Sequence, residues 1–330
     1  MLELLCGAGF ASGKEIYVFF AQFKGLGVVG AVFSSIIIGS IIYKTFRICK
    51  IKNIKSNNDF INEISKSKNE KIYKFNKALL KNIINIFLLF TFFTMMAGFC
   101  SYFKQEFNIS IIISGVIVAV CVYIVFLRDI EGIMKVCSVI IPALIIITVA
   151  IVFTKPLSIN LESTANEIFP SFTMAILYAS YNGILLIPII ISASKFVKNE
   201  KSNKIIAIVS SLIIGVLALG IINLISTKDV KNFDLPVAKV LEKNALEGAL
   251  YSVVLVIAIF SSALSAGYGV ICNIKNRKTY KKVALAMCAL GIAASYIGFG
   301  NLVSILYPLF GLVSIIQVIL IEKYYRSIAK

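Results

Sequence analysis

Apolar runs long enough to cross a bilayer recur along the whole chain, and they constrain its fold more than any other feature. A transmembrane helix needs about 20 predominantly apolar residues. In lipid no water satisfies the backbone, so each crossing segment must bond internally. The expected class is therefore an all-α polytopic membrane protein, whose length counts spans rather than soluble domains. Composition agrees: 59% of residues are hydrophobic, 15% are charged, and mean hydropathy is +0.92. Soluble domains carry roughly 45–50% apolar and about 25% charged residues.

Ten spans are predicted, over 2–23, 26–43, 83–103, 109–127, 133–153, 168–193, 205–225, 250–272, 283–297 and 302–321. They divide five plus five, 1–153 and 168–322, within a single membrane domain. Pro142 predicts a kink in the fifth span. The first span is short of residues: only six precede Gly7, Glu3 among them, which predicts a start further upstream. Between spans two and three, the basic segment 44–81 reads as a solvated linker on the inner leaflet. Within it Asp59 is expected to cap a short helix with Phe60, Ile61 and Ile64 on one face. Asp234 and Pro236 predict the start of a second short helix, with Val237, Val240 and Leu241 packed at the membrane mouth.

The net charge of +17 does not point to nucleic acid. Segments 44–81, 128–135, 195–204, 275–282 and 323–330 hold 25 of the 33 Lys and Arg residues. The positive-inside rule then places these segments and both termini in the cytoplasm. Lys135 reads as one such anchor near the end of span five, or as an ammonium standing where a cation would bind. The chain has no His, hence neither the usual metal ligand nor the usual proton shuttle. Its seven Cys are scattered, with no C-x-x-C pair, and read as small buried hydrophobes. No nucleophile–base pair stands out, so an enzyme is not expected.

Two stretches interrupt the apolar pattern. Gly7-Ala-Gly-Phe-Ala-Ser-Gly-Lys-Glu15 puts three glycines and two charges inside the first span. Each glycine weakens a helix by about 1 kcal/mol relative to Ala. Irregular backbone at membrane depth survives only when buried in protein or lining a wet cavity. The second stretch, Tyr178-Ala-Ser-Tyr-Asn-Gly183, opens the second half of the chain. Two interrupted helices at corresponding places in two halves are what an inverted repeat predicts, with the binding site between them. Half-helix N-termini would face a substrate carboxylate and half-helix C-termini a small cation. The expected pocket takes Gly7, Ala8, Gly9, Phe10, Ala11 and Ser12 from span one, Tyr102 from span three, and Ser180, Tyr181, Asn182 and Gly183 from span six. Lys14 and Glu15 form either a mutually neutralised pair or, for Glu15, a proton-coupling carboxyl.

The stretch 7–15, followed by Ile16 and Phe19-Phe20, resembles the first-helix motif of the YkvI-type bacterial membrane protein family, which is related to the LeuT-fold, amino acid–polyamine–organocation transporters. The resemblance covers the chain in span order and is most specific at span one. It implies a LeuT-like fold with broken helices 1 and 6 and a bacterial plasma-membrane location. It also implies cation-coupled symport of a small solute, an amino acid by default. In sodium-coupled members helix 8 supplies a carbonyl and, three and four residues later, two hydroxyls. Ala258, Ser261 and Ser262 match that spacing, with Cys6 on the span-one side, where Glu3 departs from the pattern. Ser261 and Ser262 also read as hydroxyls that bond back to their own helix, the more ordinary of the two readings. Beyond a coupling Na⁺ or H⁺ no cofactor is expected; the partners are the lipid bilayer and the solute. A transport-fold receptor that binds without translocating is the alternative.

Overall fold

A computed structural model describes residues 8–67, 69–128, 146–147, 150–151, 154, 156–159, 161–197, 199–242, 245–272 and 274–328. Most of the expected fifth span, with Lys135 and Pro142, lies outside the described residues. In chain order the helices are α1 (Ala8–Ser12), α2 (Lys14–Phe19), α3 (Lys24–Ile51), α4 (Asn57–Ile64), α5 (Glu70–Phe107) and α6 (Ile111–Leu127). There follow α7 (Ile168–Ser194), α8 (Glu200–Ile225), α9 (Pro236–Leu241), α10 (Ala245–Ile271), α11 (Arg277–Ser295) and α12 (Phe299–Ile328). No strand occurs among the described residues.

Local chemistry sets several starts. Ser56 Oγ accepts from the Asp59 N–H at 3.1 Å. Asn199 Oδ1 accepts from the Ser202 N–H at 2.8 Å. Asn276 Oδ1 accepts from the N–H groups of Lys278 and Thr279 at 2.9 and 3.3 Å. Each such cap contributes about 1 kcal/mol. The cap of α4 is thus Ser56 rather than Asp59, whose own N–H is the group being capped.

Among the described residues, six stretches are long and apolar enough to cross a membrane: Lys14–Ile51, Glu70–Phe107, Ala165–Ser194, Glu200–Ile225, Leu246–Ile271 and Phe299–Ile328. The apolar α6 is shorter, at 17 residues. Helix α11 begins in a basic cluster, Arg277, Lys278, Lys281 and Lys282. Ile36, Ile113, Val253, Leu285 and Leu312 are each more than half exposed. An apolar outer belt of this kind is unfavourable in water and suits lipid.

Packing sorts the long helices into two groups. Helices α3, α7 and α12 pack on one another with α8 against α3, and α5, α6, α10 and α11 pack on one another, with α12 also touching α5. Each group draws helices from both halves of the chain. The interrupted first helix lies between them: α1 packs on α10, whereas α2 packs on α7, α8 and α12. Short α9 bridges, touching α1, α2, α8 and α10.

Two expectations need correction. The second interruption does not occur: α7 runs unbroken through Tyr178–Gly183. Its polar residues bond back along their own helix, Ser180 Oγ to the Ile176 carbonyl at 2.8 Å and Asn182 Nδ2 to the Tyr178 carbonyl at 2.9 Å. Such local bonds satisfy polar groups without breaking the backbone ladder. Nor is 44–81 mainly a solvated linker. Helix α3 continues to Ile51, α5 starts at Glu70, and α4 between them is packed inward. Phe60, Ile61 and Ile64 are all but fully buried. They form a second apolar cluster with Ile41 and Ile48 of α3, Leu80 of α5, Ile187 and Ile191 of α7, and Ile321 of α12. The amphipathic face expected from sequence therefore exists, and it plugs one end of the bundle.

Candidate functional site

The break itself sits at Gly13, whose φ of 79° lies in the left-handed region. Glycine adopts this conformation without the Cβ clash other residues suffer. A Cβ here would also lie 2.7 Å from Val237 Cγ2. The groups freed by the break are stitched by side chains. Ser12 Oγ donates to the Gly9 carbonyl at 2.7 Å and accepts from the Lys14 N–H at 3.2 Å. The Tyr251 hydroxyl donates to the Ala11 carbonyl. Gly9, Ala11 and Ser12 are buried. Ser12 thus holds the turn together. The Lys14 N–H, first of the six-residue α2, is thereby capped. Cys6 and Gly7 lie outside the described residues, as do the side chains of Ala8 and Phe10.

Lys14 and Glu15 do not pair. Neighbouring positions on a helix face different directions, and here they reach opposite sets of elements. Glu15, 5% exposed, receives a hydrogen bond from the Tyr181 hydroxyl of α7. Its carboxyl packs over Gly9: a Cβ on Gly9 would lie 2.6 Å from Glu15 Oε2 and 3.4 Å from the Tyr307 hydroxyl oxygen. Among the described residues no Lys or Arg forms an ion pair with it. Aromatic rings enclose the group. Tyr181 lies 5.3 Å from Tyr307, 5.5 Å from Phe19 and 5.6 Å from Tyr178, centroid to centroid. A carboxyl held without a cation among rings inside a membrane bundle carries a large desolvation cost if ionised. Such residues mark ion and proton routes in membrane proteins.

Lys14, 8% exposed, turns the other way. Its Nζ donates to the carbonyls of Lys231 and Phe233 at 3.1 and 3.0 Å. Beside it, Asp234 accepts from Ser101 Oγ of α5 at 2.6 Å and from the Gly300 N–H of α12 at 2.9 Å. A Cβ on Gly300 would meet Asp234 Oδ1 at 2.5 Å and Lys14 Cε at 2.8 Å, so both side chains close over that glycine. This polar latch ties α2, α5, the segment before α9, and α12. Asp234 therefore does not cap α9, whose first residue is Pro236 and whose N-cap position, Leu235, makes no side-chain bond.

The remaining candidates scatter. Tyr181 and Asn182 stand at Glu15. Ser180 is spent on its own helix, and Gly183 packs on Ile41. Tyr102 packs on Phe103 and Phe107, toward the end of α5. In α10 the carbonyl of Ala258 and Ser261 Oγ are 3.0 Å apart, the hydroxyl donating to the carbonyl, and both residues are buried. Ser262 is half-buried. Cys6, the span-one member of that set, lies outside the described residues. Tyr307 and Ser101 were not expected from the sequence. Each lies in a long apolar run, and only the packing of distant helices gives it a role.

Two chains of Bacillus subtilis (strain 168) are similar to this one over nearly their whole length. The uncharacterized membrane protein YkvI is 27% identical over 321 residues, covering 94% of this chain and 89% of its own. The uncharacterized protein YyaD is 25% identical over 348 residues, covering 98% of this chain and 94% of its own. No family model matches the chain. With six membrane-length apolar stretches among its described residues and a membrane protein among its relatives, this chain is a multi-pass membrane protein.

Proposed function

We propose that the chain is a secondary transporter of a bacterial plasma membrane, moving a small zwitterionic solute such as an amino acid by alternating access coupled to protons. One observation carries this reading. The halves of the first helix pack on different helix groups, and Glu15, at their joint, reaches Tyr181 on α7. A rearrangement of the two groups about Gly13 changes the surroundings of Glu15, and a buried carboxyl whose surroundings change takes up or releases a proton. The solute's ammonium end is complementary to Glu15 and its rings. The LeuT-like resemblance supports the transport class and the amino acid default. Sodium is the second coupling candidate and rests on Ala258, Ser261 and Ser262.

Uptake into proteoliposomes tests the reading, with a panel of labelled amino acids and imposed H⁺ or Na⁺ gradients. The expected result is accumulation driven by a proton gradient and abolished in Glu15→Gln, with solute exchange retained. Accumulation that needs Na⁺, survives Glu15→Gln and is lost in the Ser261→Ala, Ser262→Ala double variant would move coupling to α10. Saturable binding without accumulation under either gradient would replace the carrier with a receptor.

A further inference from the structure

Helix α3 presents a face to lipid between two apolar grooves. One, about 710 Å³, lies against α12 and is walled by Ile36, Ile37, Ile41, Val318 and Ile319. The other, about 530 Å³, lies against α8 and is walled by Ile36, Ala207, Ile208 and Leu212. Ile36 and Ser40 line both, so the grooves run down either side of one ridge. Ile36 is 61% exposed, which opens the ridge to the surroundings.

Both grooves end in charge at the same end of α3. Lys44, Lys323 and Arg326 stand at the first, Lys204 at the second, and Arg47 one turn beyond Tyr43. Two carboxylates answer these five cations. Glu322 pairs with Lys44 and, at 2.7 Å, with Arg326. Glu200 pairs with Arg47 and, at 3.8 Å, with Lys204. Lys323 has no ion pair among the described residues and is exposed. Tyr43 and Tyr325 pack edge to face at 6.3 Å between the two sets of charges. Tyrosines at such a level mark a membrane–water interface. The cluster is therefore cationic beyond what its own carboxylates neutralise, and it crowns two grooves that only something apolar fills.

We propose that this face of α3 seats one anionic phospholipid, its phosphate at the level of Tyr43 and Lys44 and one acyl chain in each groove. Charge complementarity selects the anionic headgroup, and the paired grooves select a two-chain lipid over a soluble phosphate. The site is separate from Glu15 and stands whether or not the chain transports a solute.

Native mass spectrometry of the full chain, exposed to equimolar phosphatidylglycerol and phosphatidylcholine, tests the proposal. Phosphatidylglycerol is expected to be retained in excess. An interfacial Lys contributes about 1 kcal/mol toward anionic lipid, so Lys204→Gln and Lys323→Gln should each weaken retention about fivefold. Both side chains are exposed, and unfolding in lipid-free detergent should stay unchanged. Ser40→Trp, filling the ridge between the grooves, should abolish retention of phosphatidylglycerol with the charges intact. Equal retention of the two lipids overturns the proposal. So does a phosphatidylglycerol preference that Ser40→Trp leaves untouched, because that result describes a basic surface without a seat.

Discussion

The two ends of the bundle are closed by opposite chemistry. At one end α4 drives Phe60, Ile61 and Ile64 into an apolar cluster contributed by α3, α5, α7 and α12. At the other, Lys14, Asp234, Ser101 and Gly300 close through directional bonds to carbonyls, a hydroxyl and a backbone N–H. Apolar burial is non-directional and scales with area. It tolerates sliding and resists salt. A charged latch holds one geometry and releases when a partner is lost. One end is thus shut by bulk, the other by geometry, and Glu15 lies enclosed between them.

The largest expected effect falls on the apolar end. Phe60 is fully buried, so Phe60→Ala should cost about 3–5 kcal/mol, independent of salt. Unfolding in detergent measures the loss. Cys49, 2% exposed in the same cluster, reports the opening by faster maleimide labelling in a variant lacking the other cysteines. Unchanged labelling would show that α4 is not the closure at this end.

Asp234→Asn should cost less, about 2 kcal/mol, because it keeps the shape and weakens bonds made to a charged acceptor. Asp234 is only half-buried, so the cost should shrink as salt rises. Unfolding midpoints at low and high ionic strength decide this. If Asp234→Asn and Phe60→Ala respond alike to salt, the contrast between the ends collapses.

Gln317 sharpens the comparison from inside α12. It lies one turn before Ile321, is 1% exposed, and neither amide atom has a partner among the described residues. If the apolar end is dry, Gln317→Leu should stabilise the fold by about 1–2 kcal/mol, the penalty of an unsatisfied buried amide. A loss of stability would show that water reaches this depth.

The smallest effect is a pH dependence at the rim of the plug. Burial raises the Glu63 carboxyl, but hydrogen bonds from Lys66 and Tyr324 outweigh it and hold the group below its ordinary range. A depressed folded value contributes stability that is present above the ordinary pKa of about 4.3 and lost as pH falls through the lower value. The unfolding midpoint in detergent should therefore drop only below about pH 4, and Glu63→Gln should flatten that drop.

The sequence made some of this legible. Glycine density and two charges marked the first interruption, and the spacing of Phe60, Ile61 and Ile64 marked an apolar face. What covers that face comes from four other helices and cannot be read locally. The reading of a second break failed at Tyr178–Gly183, because Ser and Asn can spend their polarity on the preceding turn and leave the helix intact. The latch was hidden by distance along the chain: Ser101 and Gly300 lie 133 and 66 residues from Asp234. Lys14 and Glu15 invited pairing by adjacency, and helical geometry separated them.

That α7 is one piece while the first helix is two has a mechanical consequence. Its 27 residues make a rod about 40 Å long at 1.5 Å per residue. Rocked by about 10° about its middle, near Tyr181, such a rod would swing its ends about 3.5 Å in opposite directions. A seesaw cannot be up at both ends, so in the proposed transport cycle the rod that widened one mouth would narrow the other, and the jointed partner beside it would take up the slack.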